Sequence, residues 1–223
     1  MSTKATKTGF FLTFEGPEGS GKSTQIRLLQ SRLESLGNTV VLTREPGGTP
    51  FGDKIRALLL DIENGRLEPE TEAFLMLAQR TEHLRKVIQP AIATGKVVLC
   101  DRYFDSSVAY QGYGRGLTPE VIRSLHENLL RDFLPDMTIL LDLDPAIGLE
   151  RARHGGKKSF DRIESEAVAF HQKVRKGYLA LASSEPKRFL VIDASAPQDF
   201  VFSVIMEGLR DRGGRSLMEK NEK

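Results

Sequence analysis

Between Gly16 and Ser23 the chain reads Gly-Pro-Glu-Gly-Ser-Gly-Lys-Ser, a spacing of glycines, lysine and hydroxyl that suits a polyphosphate. Small residues let successive backbone N–H groups turn inward around phosphate oxygens. Lys22 then reaches the β- and γ-phosphates, Ser23 offers an oxygen to Mg2+, and the start of a following helix favours the negative charge. The expected nucleotide-binding residues are Gly16, Pro17, Glu18, Gly19, Ser20, Gly21, Lys22, Ser23 and Thr24. A plain glycine-rich turn is the blander reading of so short a motif. The flanks favour the phosphate loop, because the apolar run Phe10–Phe14 precedes it and a helical pattern opens near Lys22. This much predicts the binding of a nucleoside triphosphate and leaves the fate of its terminal phosphate open.

Other residues bear on that fate. Asp101 closes the apolar run Lys96–Cys100, where a carboxylate has no packing role. In a phosphate-loop protein that position suits an acid holding Mg2+ directly or through water, and the alternative is a strand-end cap. Arg44, Arg56, Arg80, Arg102 and Arg115 fall on or beside the same predicted end of the sheet, and guanidinium forks bind phosphate bidentately. Simple hydrolysis needs few of them, whereas phosphoryl transfer must also clamp a second anion in line with the γ-phosphate. Arg151, Arg153, Lys157 and Lys158 crowd around Gly155-Gly156. A mobile basic lid over 151–162 would exclude water and supply charge, while a solvated loop or a nucleic-acid patch is the other reading of such a run.

The elements that must position these groups alternate. Strands are expected at Phe10–Glu15, Thr39–Thr43, Lys96–Cys100, Met137–Leu143 and Phe189–Ile192. Helical patterns follow the loop, run through Ile55–Leu59, continue from Pro69 to Thr94, start again at Pro119 with Thr118 as cap, and extend from Pro145, Arg162 and Pro197. Such alternation predicts an α/β, three-layer P-loop NTPase-type fold: a five-stranded parallel sheet with helices on both faces, ligands gathering at the carboxyl ends of the strands. Without an internal repeat or linker, residues 1–223 read as one kinase-sized domain with loose ends at 1–8 and 211–223.

The composition is 39% hydrophobic and 28% charged with a net charge of +2, which argues against nucleic acid as the main partner. One cysteine, Cys100, excludes a disulfide framework and points to a reducing compartment. With no membrane-length apolar window and no signal-type leader, the expected location is the cytoplasm. A guanine-nucleotide switch lacks its Asn-Lys-x-Asp signature here, and a DNA-bound ATPase sits poorly with the near-neutral charge.

Taken in order, Arg44-Glu-Pro-Gly-Gly-Thr49, Ala78-Gln-Arg80, Asp101-Arg-Tyr103, Ser107-Val-Ala-Tyr-Gln-Gly112, Gly114-Arg-Gly116 and Asp161-Arg-Ile-Glu164 resemble the bacterial thymidylate kinase family. The likeness spans about Phe10 to Asp193. It implies phosphoryl transfer from ATP to dTMP, with Mg2+ as cofactor and a homodimer assembled through packed helices, for which Leu75, Leu84 or the Thr118–Phe133 helix offers a face. Another nucleoside or nucleotide kinase of the same fold is the alternative. By resemblance, Glu18 contacts the sugar 3′-hydroxyl, and Arg44, Arg56 and Arg102 contact the monophosphate. Arg80 reads a thymine carbonyl, Ser107 and Gln111 hydrogen-bond the base, and Tyr110 packs under the sugar where it excludes a ribose 2′-hydroxyl. Pro46 follows Glu45 where the family carries a cis peptide.

Two positions depart from the family pattern. Met76 stands where a phenylalanine stacks on the base, and a thioether packs there less strongly. The phosphate loop has no basic spacer residue, which resembles the subgroup with its catalytic arginine in the lid; Arg153 is the expected transition-state cation, with Arg151 or Lys157 as substitutes. The expected catalytic set is therefore Lys22, Asp101, Arg102 and Arg153, with Ser23 and Asp101 toward the metal.

Overall fold

The computed structural model describes residues 8–130, 133–154 and 161–218. Its five strands are β1 (Phe10–Glu15), β2 (Val40–Arg44), β3 (Val97–Asp101), β4 (Met137–Asp142) and β5 (Phe189–Asp193). They pair in parallel in the order β2-β3-β1-β4-β5. From β1 the chain passes to the edge strand β2, returns to β3 between the two, and then crosses to β4 and β5 on the other side, so the order reverses beside β1. That is where open α/β sheets form a ligand crevice.

The helices are α1 (Lys22–Ser35), α2 (Pro50–Leu60), α3 (Pro69–His83), α4 (Gln89–Ala93), α5 (Phe104–Ser107), α6 (Pro119–Leu130), α7 (Pro145–His154), α8 (Val168–Ser184), α9 (Gln198–Asp211) and α10 (Arg215–Met218). Alternate strand residues feed two cores. Leu12, Phe14, Leu99, Ile139 and Leu141 pack with Ile26, Leu29 and Leu33 of α1 and Ile205 and Leu209 of α9. Phe11, Val98, Cys100 and Leu140 face the other way, against Leu84, Ile88, Ile122, Val174 and Tyr178. Two cores on opposite faces of one sheet make the three expected layers. Each fully buried leucine or phenylalanine contributes roughly 1.5–3 kcal/mol of hydrophobic stabilisation.

Several local features depart from the periodicity reading. The long helix expected up to Thr94 passes through a π turn at Leu84–Ile88, and a second π segment covers Val108–Gly114. The helix expected from Arg162 starts at Val168. Before it, the Asp161 carboxylate accepts the backbone N–H groups of Ile163 and Glu164, at 3.0 and 2.9 Å, which holds a turn instead. Leu84 is wholly buried in the core, so it offers no dimer face. The loose tail expected from 211 gives way to α10, where Leu217 is buried and its carbonyl accepts the Asn38 amide at 2.7 Å. The other expected loose end, at 1–8, lies outside the described residues except for Thr8, whose hydroxyl donates to Ile92 O at 3.1 Å. Among the described residues no helix is long and apolar enough to cross a membrane.

Candidate active site

The glycine loop leaves β1 at the centre of the sheet. Gly16, Gly19 and Gly21 adopt φ of 136°, 69° and 86°, conformations that L side chains rarely take. A Cβ on Gly19 would sit 2.1 Å from the Gly148 carbonyl of α7, so the loop is clamped against that helix by two glycines. Lys22 is buried and folded back, donating from Nζ to the carbonyls of Gly16 (3.0 Å) and Pro17 (2.8 Å). Burial, then the nearby Arg102, depress its pKa, while Glu18 and Asp101 pull the other way. A phosphate entering the loop would offer this ammonium better acceptors than two carbonyls.

β1 also ends in an acid. Glu15 is fully buried and accepts from the Tyr103 N–H (2.8 Å), the Ser106 hydroxyl (2.6 Å) and the Tyr178 hydroxyl (2.8 Å). Burial, reinforced by the charge of Asp105, pushes its pKa up to about 7 against the pull of Arg102. Arg102 has φ of 68° although it is not glycine, the kind of backbone strain that clusters at working sites. Its guanidinium donates to Tyr178 Oη at 3.0 Å and to Glu18 Oε1 at 2.5 Å, and lies 5.1 Å from the Tyr110 ring centroid. Beside it, Asp101 Oδ1 is buried and has no hydrogen-bond partner.

The loop, Lys22, Asp101 and Arg102 open on one crevice of about 520 Å3. Its walls include Glu18, Gly19, Ser20, Gly21, Lys22, Ser23 and Thr24 from the loop, and Arg44, Pro46, Arg56, Met76, Asp101, Arg102, Tyr110, Gln111 and Arg151 from the elements around it. Arg56 donates to the Pro46 carbonyl at 3.0 Å, and its pKa is lowered first by burial and then by Arg44. Guanidinium groups that repel one another at a crevice wall are what an incoming dianion would relieve. The Glu45–Pro46 peptide is cis, as the resemblance implies. Met76 packs on Ile55 and Leu59 between α2 and α3.

Not every expected contact lies on the crevice. Arg80 is 1% exposed and its guanidinium is spent on Glu45 (2.7 Å), Ser107 (2.9 Å) and the Tyr103 carbonyl (2.9 Å). Ser107 is buried with it. Arg151 donates to the Ala194 carbonyl at 2.9 Å, and Arg153 is exposed near the end of α7. Lys157 and Lys158 lie outside the described residues, with Gly155-Gly156. Glu15 and Glu72 are site residues that the sequence reading missed. For Glu15 the signal was the one used for Asp101, an acid ending an apolar strand. Glu72 sits one helical turn before Met76 and two before Arg80, on the same face of α3.

A glycine phosphate loop with its lysine, neighbouring guanidinium groups and a buried, unpartnered acid on one crevice define a nucleotide kinase of the P-loop class. A thymidylate kinase family model matches residues 14–205. The chain is 47% identical over 205 residues to a Deinococcus radiodurans protein named thymidylate kinase, covering 92% of this chain and 98% of that one. A Desulfovibrio desulfuricans protein of the same name is 50% identical over 212 residues, covering 91% and 98%. The crystal structure of thymidylate kinase from Ehrlichia chaffeensis superposes with a TM-score of 0.73 at 35% identity, over 91% of this chain and 98% of that one. The chain belongs to the thymidylate kinase family.

Proposed function

We propose that the crevice transfers the γ-phosphoryl group of ATP to dTMP, giving dTDP and ADP. The observation that carries this reading is that one crevice is lined both by the glycine loop with Lys22 and by Arg44, Arg56 and Arg102. ATP enters with its phosphates in the loop, where backbone N–H groups and Lys22 replace the solvent shell. The dTMP phosphate takes Arg44, Arg56 and Arg102, and its sugar hydroxyl meets Glu18, which Arg102 already holds in place. Tyr110 also lines the crevice, and in this reading its ring packs under the sugar, where it would exclude a 2′-hydroxyl. Transfer then needs alignment and neutralisation rather than a covalent enzyme intermediate.

Asp101 and Ser23 fit Mg2+: one offers a buried carboxylate oxygen without a partner, the other a hydroxyl on the same crevice, and both are hard oxygen donors. When bound there, Mg2+ neutralises charge on the β- and γ-phosphates. Arg153 at the lid root is the assigned transition-state cation, with Arg151 and Lys157 as its substitutes. The reading extends to a cytoplasmic homodimer, supported by the buried lone cysteine Cys100 and by apolar side chains exposed on neighbouring helices. ADP release coupled to a reporter, measured with a panel of nucleoside monophosphates, tests the reaction. dTMP is the expected best acceptor; a stronger response to another nucleotide, or full turnover without any acceptor, refutes it.

A further inference from the structure

The crevice is also lined by a carboxylate that the proposed transfer does not use. Glu72 of α3 is 1% exposed and collects three donor side chains from two segments distant in sequence. Its Oε1 accepts from Gln111 Nε2 at 2.8 Å and from Arg115 Nε at 3.3 Å. Its Oε2 accepts from Arg115 Nη2 at 3.1 Å and from Arg162 Nη2 at 2.7 Å. A carboxylate has about four acceptor directions, so all of these are taken and Glu72 has none left for a substrate. Burial opposes its charge, but Arg115, Gln111 and Arg162 hold its pKa below the usual carboxylate value. It stays an acceptor at any working pH.

That charge has a consequence for Gln111, which lines the crevice and is itself 4% exposed. A side-chain amide has one donating end and one accepting end. Because an ionised Glu72 can only accept, it captures the amide nitrogen, and the amide oxygen must take the other direction. Gln111 Oε1 is buried and without a hydrogen-bond partner. We infer that Glu72 is a positioning residue for base selection: it fixes the Gln111 amide so that Oε1 presents an acceptor to the incoming base. This rests on the reading of the crevice as a dTMP site. A pyrimidine with a protonated N3, as in thymine, satisfies that oxygen. Cytosine offers an unprotonated N3, and acceptor against acceptor leaves two buried groups unpaired.

The substitution Glu72→Gln turns the device round. Arg115 and Arg162 have only donors, so they claim the single oxygen of the introduced amide, at the place of the former Oε2. The introduced NH2 then faces Gln111, attracts its Oε1 and turns the Gln111 NH2 toward the base. The expected result is a fall of about 10-fold or more in the ratio of kcat/KM for dTMP to that for dCMP, with the loss on dTMP falling mainly on KM. A merely structural Glu72 would weaken both substrates together.

The background variant Gln111→Met separates the two roles. Alone it should lower the same ratio, and adding Glu72→Gln to it should change the ratio no further. A ratio unchanged in Glu72→Gln, or lowered equally in the Gln111→Met background, overturns the inference. Should Glu72→Gln fail to fold, the side-chain amide of Gln111 in the wild-type protein carries the test by nitrogen–proton NMR, assigned with Gln111→Met. One Nε2 proton should be protected from solvent exchange before and after dTMP is added, and free exchange in the unliganded protein overturns the assignment. If the wild-type protein uses dCMP as well as dTMP, the dTMP reading fails before any variant is made. If it selects dTMP and Glu72→Gln still does, only this inference fails.

Discussion

At the scale of single residues, the site is a set of charges held in unfavourable places by their neighbours. Glu15 is the clearest case. It is fully buried, yet its ionised form is what accepts three hydrogen bonds and, through Tyr178 and Ser106, braces the strained Arg102. Its pKa is raised from the usual 4.5 to about 7, first by burial and then by Asp105. The folded protein therefore binds a proton that the unfolded chain releases between these two values. Where the folded state holds more protons, stability falls as pH rises. Relative to the isosteric Glu15→Gln, the wild-type protein should lose on the order of 3 kcal/mol of unfolding free energy between pH 4.5 and 7.5. Urea unfolding of both proteins across that range measures the difference, and parallel profiles would show that Glu15 does not titrate there. His126 behaves oppositely: its pKa, depressed to about 3 by burial and by Arg80, keeps it neutral in the core throughout this range.

Elements carry these residues, and the sequence disclosed elements unevenly. The strands were legible because β1, β3 and β4 are continuous apolar runs that end in Glu15, Asp101 and Asp142, a pattern fixed by burial on both faces. The phosphate loop was legible because its glycines are required by φ. The π segments at Leu84–Ile88 and Val108–Gly114 were not, since one extra residue in a turn leaves the apolar periodicity almost intact. Nor was the Glu72 cluster, whose partners Arg115 and Arg162 lie 43 and 90 residues away. The clamp between the loop and α7 was also hidden, because two glycines show no sign of touching until the fold is built. Gly148 is such a contact: a Cβ there would lie 2.2 Å from the Glu18 carbonyl. That neighbour is backbone, so Gly148→Ala must push the loop away from the helix that leads into the basic segment. The expected result is about 10-fold weaker binding of an ATP analogue by calorimetry, with roughly 1–3 kcal/mol of lost stability from the overpacking. Unchanged ATP affinity would mean that the loop holds its shape without α7.

At the scale of the whole molecule, the crevice lies at the carboxyl ends of the strands, while α3 packs against both α2 and α6. Leu58 on α2 is 54% exposed, Phe74 on α3 is 61% exposed, and Val121 and Leu129 on α6 are each 53% exposed. Large apolar groups left in water on neighbouring helices are what an interaction surface would cover. In the proposed homodimer, a second copy turned about a twofold axis would cover these groups with the same residues, since an isologous interface needs only self-complementarity. Leu84, in the core, has no surface to offer such a face, whereas Phe74 on α3 is exposed. The homodimer reading thus makes a prediction separate from catalysis. Wild-type protein should elute from size exclusion with a light-scattering mass about twice the 24.8 kDa chain. Phe74→Glu places a charge against its own symmetry mate or near it and should shift that mass to the monomer at micromolar concentration, while the fold, buried elsewhere, keeps its helical spectrum. A wild-type monomer, or a Phe74→Glu protein that remains a dimer, would assign the exposed face to something other than a second copy. Because α2 and α3 also supply Arg56, Met76 and Glu72 to the crevice wall, a dimer through these helices would buttress the acceptor side of the site. The monomeric variant should therefore lose dTMP affinity before it loses affinity for ATP.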